Sequence, residues 1–147
     1  MELPSDFSQF VDVLNKHDVR YPVVGGYAVE YHGHPRYTKD LDIWLMINRY
    51  NADKVVAALE EFGFGELSLS EEDFLGPGYV IQLGRPPNRI DRLTRVDGLD
   101  FDVSYAEREE VTLGTSTIPV ISLKYLRTSK RIAGRPQDIA DLQALDG

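Results

Sequence analysis

Val23-Val24-Gly25-Gly26 is followed, after thirteen residues, by Asp40-Leu41-Asp42-Ile43-Trp44-Leu45. In an extended strand, side chains alternate between faces, so Leu41, Ile43 and Leu45 share one side, and Asp40, Asp42 and Trp44 the other. Two neighbouring carboxylates repel each other and lose hydration when brought together, which a cation between them relieves. Ligation by carboxylate oxygen alone suits Mg2+ or Mn2+. The apolar run ending in Gly-Gly suits a place where backbone must come close to a phosphate, at the start of a helix. Together the two segments predict a metal-dependent site for a nucleoside triphosphate.

The elements that must hold these residues are legible from periodicity and punctuation. A helix is expected from about Ser5 to Asp18, with Ser5 as N-cap and Phe7, Phe10, Val11 and Leu14 on its inner side. Tyr21 to Gly25 reads as a short buried strand and Gly26 to His32 as a helix opening from the glycines. The loop 33–36 leads into a strand from Leu41 to Ile47. Asn51 is expected to cap a helix from Ala52 to Phe62, closed by Gly63. Ser70-Glu71-Glu72-Asp73 has the form of a capping box. Tyr79–Leu83 and Arg89–Leu93 read as an antiparallel hairpin across Gly84-Arg85-Pro86-Pro87-Asn88. A turn at 96–99 and a strand pair near Glu110–Leu113 and Thr117–Ile121 follow. Ser122 caps a helix to Ala133, stopped by Gly134, and Pro136 opens the last helix to about Leu145. This order predicts an α/β (α+β) fold, a small mixed sheet flanked by helices.

At 147 residues with 42% hydrophobic content, residues 1–147 are expected to form a single domain with a real core. With no cysteine, disulfides and thiolate metal sites are excluded. No signal peptide is evident, and no apolar run approaches the roughly 18–20 residues that span a bilayer, so a cytoplasmic protein is expected. The net charge of −8 argues against general binding to nucleic acid. Lys124, Arg127, Lys130, Arg131 and Arg135 nevertheless form one acid-free basic stretch, suited to a small anionic ligand.

These motifs resemble the nucleotidyltransferase superfamily that includes DNA polymerase beta, whose signature is Gly-Gly or Gly-Ser followed by Asp-x-Asp and a later third acid. Arg36-Tyr37-Thr38-Lys39-Asp40-Leu41-Asp42 and Lys130-Arg131-Ile132-Ala133-Gly134-Arg135-Pro136-Gln137-Asp138 are similar to runs in a small bacterial branch, the abortive-infection and toxin–antitoxin nucleotidyltransferases. The resemblance implies a polymerase beta-like fold and three catalytic, metal-holding acids: Asp40, Asp42 and a third. Asp91, on the hairpin strand, is favoured over Asp102. It further implies that Gly25, Gly26, Arg36, Thr38, Lys130 and Arg135 contact the nucleotide.

The reaction implied moves a nucleoside monophosphate from an NTP such as ATP to a hydroxyl, with Mg2+ or Mn2+ neutralising the leaving pyrophosphate. The acceptor could be a protein, a tRNA or a small molecule. No extra helical domain of the kind that larger relatives use for acceptors is expected in these 147 residues, which makes a homo-oligomer or a cognate toxin or antitoxin partner a candidate contributor. The competing reading is a catalytically silent antitoxin or nucleotide-binding module of the same fold. Other polar residues have plainer roles. Lys124, Arg127 and Arg131 are expected on a solvated or acid-paired helix face, and Asp138 and Asp141 beside arginines near a helix start. His32 and His34 are expected to pack loops, and Trp44 to shield the site.

Overall fold

The computed structural model describes residues 5–33, 41–62, 80–83, 90–93, 96 and 98–146. Helix α1, Ser5–Lys16, places Phe7, Phe10, Val11 and Leu14 at helical spacing, each no more than 1% exposed. Aromatic edges tie it to its neighbours. Phe10 meets Phe62 at the end of helix α3 (Arg49–Phe62) at 5.2 Å, and Phe7 meets Tyr27 of helix α2 (Gly25–Tyr31) at 5.9 Å. Such pairs bury large apolar surface in a fixed geometry.

Six strands form one mixed sheet: β1 Val23–Val24, β2 Leu41–Trp44, β3 Val80–Leu83, β4 Ile90–Leu93, β5 Glu109–Leu113 and β6 Ser116–Val120, in the spatial order β3-β4-β2-β1-β6-β5. The centre is β1, antiparallel to β2 and parallel to β6. The pair β3–β4 is antiparallel, as the hairpin reading of the sequence expects; β5–β6 is antiparallel too, while β2 and β4 run parallel. Strand β1 is shorter than the run Tyr21–Gly25 because Pro22 has no N–H to give the ladder. Its carbonyl still accepts from Trp44 N at 3.0 Å, so extended pairing continues beyond the strand. Val23, Val24, Leu41, Ile43, Val120 and Ile121 are buried at the centre of the sheet.

Strand β2 ends at Trp44, short of the expected Ile47, and two helices also differ from the sequence expectation. Helix α3 begins at Arg49, and its cap is Asn48, whose Oδ1 accepts from Asn51 N at 2.7 Å. Asn51 is instead 2% exposed inside the helix. Its amide accepts from Arg20 N at 2.8 Å and donates to Arg20 O at 3.2 Å and Met46 O at 3.0 Å. The side chain imitates a strand partner, joining the chain that enters β1 to the chain that leaves β2. The second of these helices is α4, Phe101–Ala106, capped by Asp100, whose side chain accepts from Val103 N. Asp102 therefore lies exposed in the first turn of a helix.

The last two helices follow the sequence closely. Ser122 caps α5 (Leu123–Ala133), and Gly134 ends it in the left-handed conformation at φ 62°. Helix α6 spans Pro136–Asp146. Across the fold, Ser116 Oγ donates to Asp12 Oδ1 at 2.7 Å and lies 3.0 Å from Ser8 Oγ, fixing α1 to β6. Among the described residues no helix is long and apolar enough to cross a membrane. Ser70–Asp73, the connection 84–88 and His34 lie outside the described residues.

Candidate active site

Strand β1 runs directly into α2 through Gly25, and β2 returns beside it so that Val24 is paired with Asp42. Gly25 has φ 67°, a conformation that L side chains rarely adopt. A Cβ built on it would overlap the Asp42 carboxylate. Glycine is required here twice over, by the backbone angle and by the carboxylate that occupies the space of a side chain. No side chain caps the start of α2, where Val24 is the N-cap. Amide N–H groups therefore open toward the same corner that Asp42 faces.

The register adds the next residue. Parallel pairing of β2 with β4 sets Asp91 opposite Asp42, with Leu41 opposite Ile90 and Ile43 opposite Arg92. The backbone thus brings the third candidate acid level with the motif strand, whereas Asp102 is carried away on α4 and lines a cleft that also contains Arg20 and Met46, at the other end of β1 and β2. Arg36, Thr38 and Asp40 lie outside the described residues, as does the side chain of Asp91. Among the described residues no three carboxylate or imidazole groups converge on one point. Of the three candidate acids, Asp42 is the one whose side chain is described.

The basic tail is organised by two buried acids. Asp138 is 2% exposed and occupies the third position of α6. Its Oδ2 accepts from Arg135 N at 3.2 Å and Arg135 Nε at 2.7 Å, and its Oδ1 from Lys130 Nζ at 3.2 Å. The carboxylate reaching back to the N–H before the helix is one half of a capping box. Lys130, 7% exposed, also pairs with Asp141 at 2.9 Å. Lys130 is thereby held between two carboxylates and locks α5 to α6.

Arg135 has a different setting. Its side chain is 75% exposed. Its guanidinium holds its proton more firmly than usual, chiefly through hydrogen bonds and charge from Asp138, with further help from Asp42. The tail and the strand–helix corner are therefore electrostatic neighbours. For Asp138, burial pushes the carboxyl up, but the hydrogen bonds from Arg135 and Lys130 and the ammonium charge prevail and hold it below the ordinary carboxylate range.

The remaining candidates take structural places. His32 Nε2 lies 2.7 Å from Ile121 O, pinning the end of α2 to the end of β6. Trp44 is 2% exposed and meets Phe101 edge-on at 5.1 Å. Lys124 is exposed, and Arg127 donates to Leu145 O at 3.1 Å. The pairing of Asp138 with Arg135 was legible from their spacing. The burial of Lys130 was not, because its two partners lie one and two helical turns into the next helix.

No family model and no curated protein sequence matches the chain. Solved structures do. A protein of Thermotoga maritima described as a nucleotidyltransferase is 18% identical, covering 97% of this chain and 93% of its own, with a TM-score of 0.64. The lincosamide antibiotic adenylyltransferase LnuA, lincomycin-bound, is 14% identical, covering 99% and 98%, with a TM-score of 0.55. The antibiotic-resistance factor ANT(2″)-Ia, in complex with adenylyl-2″-tobramycin, is 12% identical, covering 96% and 86%, with a TM-score of 0.60. With TM-scores of 0.55 to 0.64 over nearly the whole of its length, the chain has the nucleotidyltransferase fold.

Proposed function

We propose that this protein is a nucleotidyltransferase that moves a nucleoside monophosphate from an NTP to an acceptor hydroxyl. The observation that carries the reading is Asp42, seated over Gly25 at the strand–helix corner with Asp91 opposite it in register. Asp40, two residues before Asp42, completes the proposed acid set, and all its donors are carboxylate oxygens, which fits Mg2+ or Mn2+. Such an ion would neutralise triphosphate charge and make the acceptor hydroxyl easier to deprotonate. Amides at Gly25 and Gly26 would receive a phosphate, and the exposed Arg135, fixed by Asp138, would contribute positive charge at the same corner. Lys130 acts through Asp138 as a positioning residue. Arg36 and Thr38 are proposed nucleotide contacts on the segment before Asp40.

In the reaction the acceptor oxygen attacks the α-phosphorus, and the bond from that phosphorus to the oxygen bridging the β-phosphate breaks. Pyrophosphate leaves with the bridging electrons, and the hydroxyl proton passes to a carboxylate, for which Asp91 is the candidate. The acceptor classes are a small molecule, a protein side chain and a tRNA end. The fold likeness to antibiotic adenylyltransferases supports the first, and the tail motif supports a protein or tRNA target within a toxin–antitoxin or phage-defence pair. Incubating the protein with each α-labelled NTP and Mg2+, against host lysate, purified tRNA or a panel of aminoglycosides and lincosamides, separates them. Label in one fraction, lost in Asp42→Asn, is the expected result. No transfer from any NTP to any acceptor overturns the reading in favour of a silent module.

A further inference from the structure

Ile121 holds both ends of the unit that forms the glycine corner. Its N–H donates to Val23 O at 3.0 Å, just ahead of Gly25. Its carbonyl accepts from His32 Nε2 at 2.7 Å, immediately beyond the end of α2. Ile121 itself lies between β6 and Ser122, the N-cap of α5. One backbone residue therefore joins the strand that enters the corner, the helix that leaves it and the helix that leads to the basic tail.

Helix α2 needs such a tie. At seven residues it is about 10 Å long, too short to be stable by itself, so what it touches sets its direction. Ala28 and Val29 are buried and lay one face of it on the core. Apolar burial is non-directional, whereas a hydrogen bond fixes a distance and an angle. The His32 side chain is 7% exposed, and the Tyr31 ring meets it edge-on at 5.0 Å. Glu109 Oε2, at the start of β5, lies 3.5 Å from the same nitrogen. Both neighbours of Nε2 are acceptors, so that nitrogen carries a proton, and the neutral imidazole in this tautomer is enough to make the bond. An apolar side chain of similar size would fill the space without donating to Ile121 O.

We propose that His32 is a positioning residue for the nucleotide. Through Ile121 it sets the angle at which α2 presents the amides of its first turn, and their placement relative to the exposed Arg135 beyond α5. The inference rests on the nucleotidyl-transfer reading, in which those amides and Arg135 grip one triphosphate. His32 sits at the opposite end of α2 from Gly25 and contacts no phosphate. Its effect is on geometry: charge-assisted N–H···O bonds are strong only within a narrow range of length and angle, so a small tilt of α2 weakens several at once. Asp42 and Asp91 are placed by the pairing of β2 with β1 and β4, in which His32 has no part. Loss of the histidine bond therefore acts on nucleotide affinity before it acts on the chemical step.

Wild type, His32→Leu and His32→Gln, whose amide nitrogen reaches the place of Nε2 and donates the same bond, test this. Amide hydrogen exchange on the nucleotide-free protein reads the link itself. The Ile121 N–H, bonded to Val23 O, should exchange about tenfold faster in His32→Leu and regain its protection in His32→Gln. Calorimetry with each of the four NTPs and Mg2+, well below the unfolding midpoint of every variant, reads the consequence. The NTP that wild type binds most tightly should bind about tenfold more weakly to His32→Leu and near the wild-type value to His32→Gln. A histidine that only supports the fold would lower the unfolding midpoint of His32→Leu and leave the Kd of the folded protein unmoved. That result, unchanged Ile121 exchange, or equal weakening in both variants overturns the proposal. Should His32→Leu fail to fold, His32→Asn, polar but too short to reach Ile121 O, takes its place. Wild-type protein that binds no NTP removes the nucleotide reading and this role with it, whereas wild-type affinity kept in His32→Leu removes this role alone.

Discussion

At Gly25 the backbone and a functional side chain impose the same choice. The positive φ alone costs an L residue about 1–2 kcal/mol. The overlap with the Asp42 carboxylate adds to that, because Asp42 would have to swing away from the corner. Gly25→Ala should therefore lower stability by more than the conformational term and abolish nucleotide transfer. In Asp42→Ala the carboxylate is gone, so adding Gly25→Ala should cost only the conformational term. A double-mutant cycle in urea is expected to show the pair less destabilised than the sum of the singles. Strict additivity would mean that the carboxylate does not occupy the space above Gly25.

Between elements, ion pairs and amides do the joining, and local sequence signals say least about them. Lys130 ties α5 to α6 through Asp138 and Asp141. Lys130→Met removes the cation held between two buried carboxylates, at a cost of about 3 kcal/mol at neutral pH. The folded carboxyl of Asp138 sits below its ordinary value, so the stability it contributes is complete above about pH 4 and lost as pH falls through the folded value. The gap between wild type and Lys130→Met, followed by urea unfolding, should narrow below about pH 4. A gap independent of pH would show that Lys130 contributes by packing alone. Ser122, Gly134 and Pro136 fixed the ends of α5 and α6 from local rules, because caps and left-handed stops depend on neighbours in the chain. Asn48 and Asn51, three residues apart, satisfy the same capping rule. Only the distant backbone of Arg20 and Met46 decides that Asn51 is buried as a joint and Asn48 is the cap. Helix α4 is not legible in the sequence, because six residues rich in aromatic and β-branched side chains carry too little period to distinguish helix from strand.

Across the whole molecule, the order of motifs was readable, but their meeting depends on the sheet. Val24, Asp42 and Asp91 are far apart in sequence and become neighbours because β2 pairs with β1 on one side and β4 on the other. The core that builds this sheet is apolar and needs no ion, so chelation should leave the protein folded. On the proposed function, a divalent cation bound among the acids favours the native state by linkage. At a free concentration ten times its dissociation constant it adds about 1.4 kcal/mol. The acidic body, at −8, also attracts cations generally, but that attraction is screened at high ionic strength. Urea unfolding with and without Mg2+, in a background of concentrated KCl, isolates the specific part. Wild type is expected to gain stability from Mg2+ under these conditions, and Asp42→Asn to lose most of the gain. An equal gain in both proteins would place the ion on the general surface and remove Asp42 from the metal site.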